Sequence, residues 1–79
     1  MEISQFVNEI RDEFLPGETI TADSPLLSSG AIDSLNFSNL LAFLESRFGV
    51  RLDLMDIGYD NFDTPSQMLQ MIENGRSNH

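Results

Sequence analysis

The sequence predicts an all-α fold: a small four-helix bundle of three main helices and one short helix, with a long first loop. Three observations predict it. Two stretches repeat apolar residues at i, i+3, i+4, i+7 and i+11, the spacing of one helix face. A third opens on Thr64-Pro65-Ser66-Gln67, which reads as a threonine N-cap, a proline at the first helical position and a capping-box glutamine. No stretch alternates apolar and polar residues as a half-buried strand does.

The first helix is expected over residues 2–14. Ile3, Phe6, Val7, Ile10 and Phe14 form its apolar face, and Asn8, Glu9, Arg11, Asp12 and Glu13 fill the other side. Pro16-Gly17 stops it. Residues 15–33 show no sustained period. A connection of that length in so small a domain is functional or packed by its own side chains. Ile20, Leu26, Leu27 and Ile32 are the residues to pin it onto the core. Asp23-Ser24-Pro25 is expected to start a single helical turn, and Ser28-Ser29-Gly30 to bend.

The next helix is expected over residues 34–48, with Phe37, Leu40, Leu41, Leu44 and Phe48 on its apolar face. Asp33 is a good N-cap, because its carboxylate accepts from free N–H groups of the first turn. Gly49 stands where a left-handed C-terminal residue belongs. The acidic stretch 50–63 holds Leu52, Leu54, Met55, Ile57, Tyr59 and Phe62, and the short helix is placed around residues 54–59. The last helix covers residues 64–73, with Met68, Leu69, Met71 and Ile72 inward, and Asn74-Gly75 ends it. Residues 1–75 make one domain and residues 76–79 a disordered tail.

Composition excludes several functions. The net charge is −9, from 13 acids against four bases, all of them arginines. Such a surface repels nucleic-acid phosphates and anionic membranes and attracts basic protein patches; acidity also simply keeps a small protein in solution. There is no cysteine, so disulfides, a thiolate nucleophile and a zinc–thiolate site are excluded. No apolar run approaches the roughly 20 residues needed to span a bilayer. Met1-Glu2-Ile3-Ser4 lacks the basic start of a signal peptide, so a cytoplasmic location is the expectation. His79, the only histidine, lies at the chain end, which disfavours Ser-His-Asp catalysis. Asp53, Asp56, Asp60 and Asp63 lack calcium-loop spacing and read as a solvated acidic face. An enzyme is not expected.

The chemistry concentrates in Gly30-Ala31-Ile32-Asp33-Ser34-Leu35-Asn36. The cap at Asp33 puts Ser34 at the first helical position, where unpaired N–H groups and the helix dipole suit an attached phosphate. At about 100° per residue, Leu35 points away from the face that runs from Phe37 to Phe48. It is therefore expected in solvent beside Ser34, where a docking surface needs an apolar residue. Serine after an N-cap aspartate is also ordinary helix-start chemistry, and single exposed leucines are normal. The residues alone leave both readings open.

The stretch Leu26-Leu27-Ser28-Ser29-Gly30-Ala31-Ile32-Asp33-Ser34-Leu35 resembles the attachment-site signature of acyl and peptidyl carrier proteins. Leu40-Leu41-Ala42-Phe43-Leu44-Glu45 and Arg47-Phe48-Gly49-Val50 are similar to that family's second helix and its Phe-Gly ending. Asn61-Phe62-Asp63-Thr64-Pro65 is similar to the lead into the final helix of many discrete carriers, including D-alanyl carrier proteins. The resemblance covers residues 3–73. It implies a 4′-phosphopantetheine arm covalently attached to Ser34, with Asp33 and Leu35 as the flanking motif. It implies a phosphopantetheinyl transferase, an acyl- or aminoacyl-loading (adenylating) enzyme and downstream transferases as partners of a monomeric carrier. Nucleic acid and membrane are not among them. Leu35, Asn36, Asn39, Ala42 and Glu45 are the implied docking residues.

Carriers of primary fatty acid synthesis tend to have several acids along the second helix. Here that helix carries Asn36, Asn39, Ser46 and Arg47, with Glu45 its only acid. A specialised aminoacyl or secondary-metabolite acyl carrier fits this pattern better. Phe37, inward near the helix start, is expected to fill space that a stored long chain would occupy. The rival reading is an unmodified acidic helical adaptor that binds a basic protein.

Overall fold

The computed structural model describes residues 1–53 and 58–77. Among them are three α-helices, α1 (Ile3–Phe14), α2 (Ser34–Phe48) and α3 (Pro65–Ser77), a 3-10 turn at Tyr59–Asn61, and no strand. The short helix expected around residues 54–59 falls mainly on 54–57, which lie outside the described residues.

Four of the helix boundaries have a local cause. α1 ends at Phe14, followed by a turn in which the Glu18 N–H donates to the Leu15 carbonyl at 3.0 Å. Pro16 and Gly17 occupy its centre, and Gly17 at φ 84 supplies the left-handed position that such a turn requires. Asp33 caps α2, with Oδ1 accepting from the Asn36 N–H at 2.9 Å. Gly49 closes it at φ 67, its N–H donating to the Glu45 carbonyl at 2.9 Å. At α3, Thr64 Oγ1 accepts from the Gln67 N–H and Gln67 Oε1 accepts from the Thr64 N–H, both at 3.2 Å, which completes the capping box.

Two boundaries differ from expectation. α3 continues through Asn74-Gly75 to Ser77, so residues 76 and 77 stand in the helix rather than in a frayed tail. Gly75 keeps a helical φ, and the space where its Cβ would lie meets only Val50, at 4.0 Å. Asn-Gly is a preference for stopping, and a helical glycine costs only about 1 kcal/mol. Asp23-Ser24-Pro25 starts no helical turn. Ser24 Oγ instead accepts from the Thr21 N–H at 2.8 Å, and Pro25 biases Ser24 away from helical angles.

The core joins Phe6 and Ile10 of α1, Leu26 and Ile32 of the connection, Phe37, Leu40 and Leu44 of α2, and Phe62, Met68, Leu69 and Ile72. α1 packs on α3. Aromatic pairs tie α1 to α2: Phe6 to Phe48 with ring centroids 5.9 Å apart, and Phe14 edge-on to Phe43 at 5.6 Å. Arg47 adds a bidentate bond to Glu9, at 2.9 and 3.2 Å. Of the predicted inward residues, Ile20, Leu27, Phe14, Leu41, Phe48 and Met71 are only half-buried. Ile3 stays exposed at the edge of α1. No helix among the described residues is long and apolar enough to cross a membrane.

Candidate functional site

Residues 15–33 set the site by delivering the chain to α2 from a fixed direction. Leu26 and Ile32 are buried and hydrogen-bonded to each other through the backbone, the Ile32 N–H donating to the Leu26 carbonyl at 2.9 Å. Between them the chain loops outward in a turn closed by the Gly30 N–H on the Leu27 carbonyl at 3.1 Å. Gly30 leaves this turn at φ 80. Ser29 Oγ donates to the Pro25 carbonyl and accepts from the Ala31 N–H. The segment is therefore anchored at two buried residues and exposed between them.

Ser34 emerges as the first residue of α2 and is exposed. No hydrogen bond to its hydroxyl is found among the described residues. Asp33 Oδ1 satisfies the Asn36 N–H, and the Asp33 carbonyl takes the Phe37 N–H. The N–H groups of Ser34 and Leu35 lie in the first turn of α2, at the positive end of the helix dipole. These are the features a covalently held phosphate needs: a reachable hydroxyl and a helix N-terminus that favours the anion.

Leu35 is 76% exposed, as its helical angle predicts. Asn36, Asn39 and Ala42 are exposed along the same helix. Glu45 differs from the free surface acid that a docking residue would be. It is half-buried, and its Oε2 accepts from the Leu52 N–H at 2.9 Å, fixing the segment that follows α2. Phe37 is buried, edge-on to Phe62 with centroids 6.0 Å apart. A cavity of about 230 Å³ opens beside Ser34, lined by Leu27, Gly30, Ile32, Asp33, Ser34 and Phe37.

One residue matters here that the sequence does not reveal. Asp63 Oδ1 accepts from the N–H groups of Leu27 (2.8 Å) and Ser28 (2.9 Å), and Oδ2 from the Ser28 hydroxyl at 2.6 Å. The Ser28 hydroxyl bond above all, with the backbone donors of Ser28, Leu27 and Leu26, holds the Asp63 carboxyl below its ordinary value, against a smaller opposing effect of burial. A depressed carboxylate contributes stability above its unfolded-state value and loses it as pH falls through the folded-state value. The contribution should therefore disappear on acidification below about pH 4. Thermal melts from pH 7 to pH 2.5 should show the gap between the parent and Asp63→Asn closing over that acid range.

The sequence pattern of the family described as "phosphopantetheine attachment site" matches residues 4–72. The D-alanyl carrier protein of Streptococcus thermophilus (strain ATCC BAA-491 / LMD-9) is 31% identical over 71 residues, which cover 89% of this chain and 90% of that protein. The D-alanyl carrier protein of Streptococcus pyogenes serotype M1 is 30% identical over 74 residues, 92% of this chain and 94% of that protein.

Proposed function

We infer that Ser34 holds the arm in this chain, which belongs to the phosphopantetheine attachment-site family, and that the cargo is a small amino acid. The observation that carries the assignment is the placement of Ser34: an exposed hydroxyl on the first residue of a capped helix, inside the matched region. The arm, when attached, supplies a terminal thiol that holds cargo as a thioester.

The chain's own residues do the holding and presenting. The N–H groups at the start of α2 would favour the charge of a phosphate attached at Ser34. Asp33 holds the start of α2 through its bond to the Asn36 N–H. Leu35 gives partner enzymes an apolar foothold next to the attachment point, with Asn36, Asn39 and Ala42 extending it along α2. The protein acts as a cytoplasmic monomer without catalysis of its own. Its partners are a phosphopantetheinyl transferase, an adenylating loading enzyme and downstream transferases.

Three features support a specialised aminoacyl cargo over long fatty acyl chains. The exposed α2 positions Asn36, Asn39 and Ala42 are uncharged, and the carboxylate of Glu45 is turned to the Leu52 N–H. Phe37 and Phe62 fill the core beneath the start of α2. The relatives at 30–31% identity are D-alanyl carriers, and they match over nearly their whole length. The family match disfavours an unmodified adaptor.

The test is loading of the arm-bearing protein with ATP, magnesium and an adenylating enzyme that serves a D-alanyl carrier. One alanyl mass should be gained with D-alanine and removed by hydroxylamine, as a thioester requires. Failure with D-alanine, together with loading of a fatty acyl group by an acyl-loading enzyme, would reject the aminoacyl assignment.

A further inference from the structure

Asp63 binds a turn 35 and 36 residues away in sequence. Beyond its three side-chain bonds to Leu27 and Ser28, its carbonyl accepts from the Leu26 N–H at 2.8 Å. On the other side, the Asp63 N–H donates to Gln67 Oε1 at 2.8 Å. The same Gln67 oxygen accepts from the Thr64 N–H in the capping box, so the clamp is fastened to the first turn of α3.

The clamped residues meet the attachment point by two routes. Leu26 accepts the N–H of Ile32, two residues before Ser34. Leu27 and Gly30 line the same cavity as Asp33 and Ser34. An enzyme that brings coenzyme A to the Ser34 hydroxyl must cover this rim. Without the clamp, the exposed part of the turn keeps only its own Gly30-to-Leu27 and Ser29 bonds. A surface that must be ordered on docking lowers affinity by the ordering entropy.

We propose that Asp63 is a positioning residue for the modification of Ser34, holding the Leu27–Gly30 turn in the shape that the modifying enzyme docks against. The proposal rests on Ser34 as the attachment point. Asp63 makes no contact with Ser34 among its hydrogen bonds. Its loss should therefore weaken recognition and leave the chemical step alone, a rise in KM with kcat preserved.

The experiment is steady-state transfer from coenzyme A by a phosphopantetheinyl transferase, with the full chain as varied substrate. The parent, Asp63→Ala and Ser28→Ala are compared, each with an amide proton–nitrogen NMR spectrum. Asp63→Ala should raise KM about tenfold with kcat within about twofold. The Leu27 and Ser28 amide signals should move while those of Phe6, Ile10, Leu40 and Leu44 stay. A parent-like KM overturns the proposal. So does a loss of kcat, or displacement of the core amides, because either assigns Asp63 a general structural role. If Asp63→Ala fails to fold, Ser28→Ala decides, since it removes only the hydroxyl bond to Oδ2. A KM rise of about threefold supports the proposal, and an unchanged KM rejects it. No mass gain in the parent itself is a different result, which removes the attachment reading and the proposal with it.

Discussion

Ser34→Ala is expected to abolish attachment of the arm and to leave the fold as it is. The serine side chain is exposed, and no hydrogen bond to its hydroxyl is found among the described residues. The cap of α2 comes from Asp33, through its bond to the Asn36 N–H, and alanine is a good helix former. The melting temperature should stay within about 3 °C of the parent, since exposed substitutions away from special features change stability by roughly 0.5 kcal/mol or less. Modification should fall to background, because no other group takes the hydroxyl's place at the helix start. Intact mass spectrometry and a thermal melt on the same sample separate the two effects. A variant that still gains the arm would move the attachment point elsewhere.

Phe62→Ala should have the opposite profile, with a damaged fold and an untouched attachment hydroxyl. Phe62 is fully buried and meets Phe37 edge-on. It belongs to no α-helix, and its ring is the part of the approach to α3 that is buried in the core, next to the Asp63 bonds to the Leu26–Ser28 turn. Truncating a buried phenylalanine costs about 3–5 kcal/mol. A domain of this length has about 4–12 kcal/mol in all, so the variant should lie near or below the threshold of folding. The expected fall in melting temperature is on the order of 15–30 °C. A fall under about 5 °C by circular dichroism would show that the site collapses around the missing ring and that Phe62 is no keystone.

The parts of this molecule that are legible in its sequence are the ones written in local chemistry. Asp33 three residues before Asn36, Gly49 after Phe48, and Thr64 with Gln67 each satisfy backbone groups within one turn, so spacing alone locates them. The exposure of Leu35 follows from helical angles in the same way. At half-buried positions such as Leu41 and Phe48, neighbouring elements rather than helical angle decide how much of the ring or chain is covered.

The remainder depends on which segments meet in space. Asp63 looks like one more acid in an acidic stretch, and only the arrival of Leu27 and Ser28 turns it into an acceptor of three bonds. Glu45 looks like a surface acid until the chain doubles back and brings the Leu52 N–H to it. Phe43 lies off the main apolar face of α2, and its partner Phe14 comes from α1. Gly75 reads as a stop, yet the helix runs on past it. None of these pairings leaves a periodic trace, because periodicity records one element's own faces and nothing of its neighbours.

The central claim is that the arm sits on Ser34, and its most direct measurement is the position of the added mass. The protein is incubated with coenzyme A, magnesium and a broad-specificity phosphopantetheinyl transferase, then cut with trypsin after Arg11 and Arg47. Residues 12–47 are released as one peptide that contains Ser24, Ser28, Ser29, Ser34, Ser38 and Ser46, so fragmentation can discriminate among them. A phosphopantetheine mass is expected on Ser34 and on no other serine. An added mass on a different residue, or none while a known carrier is modified in the same tube, would contradict it.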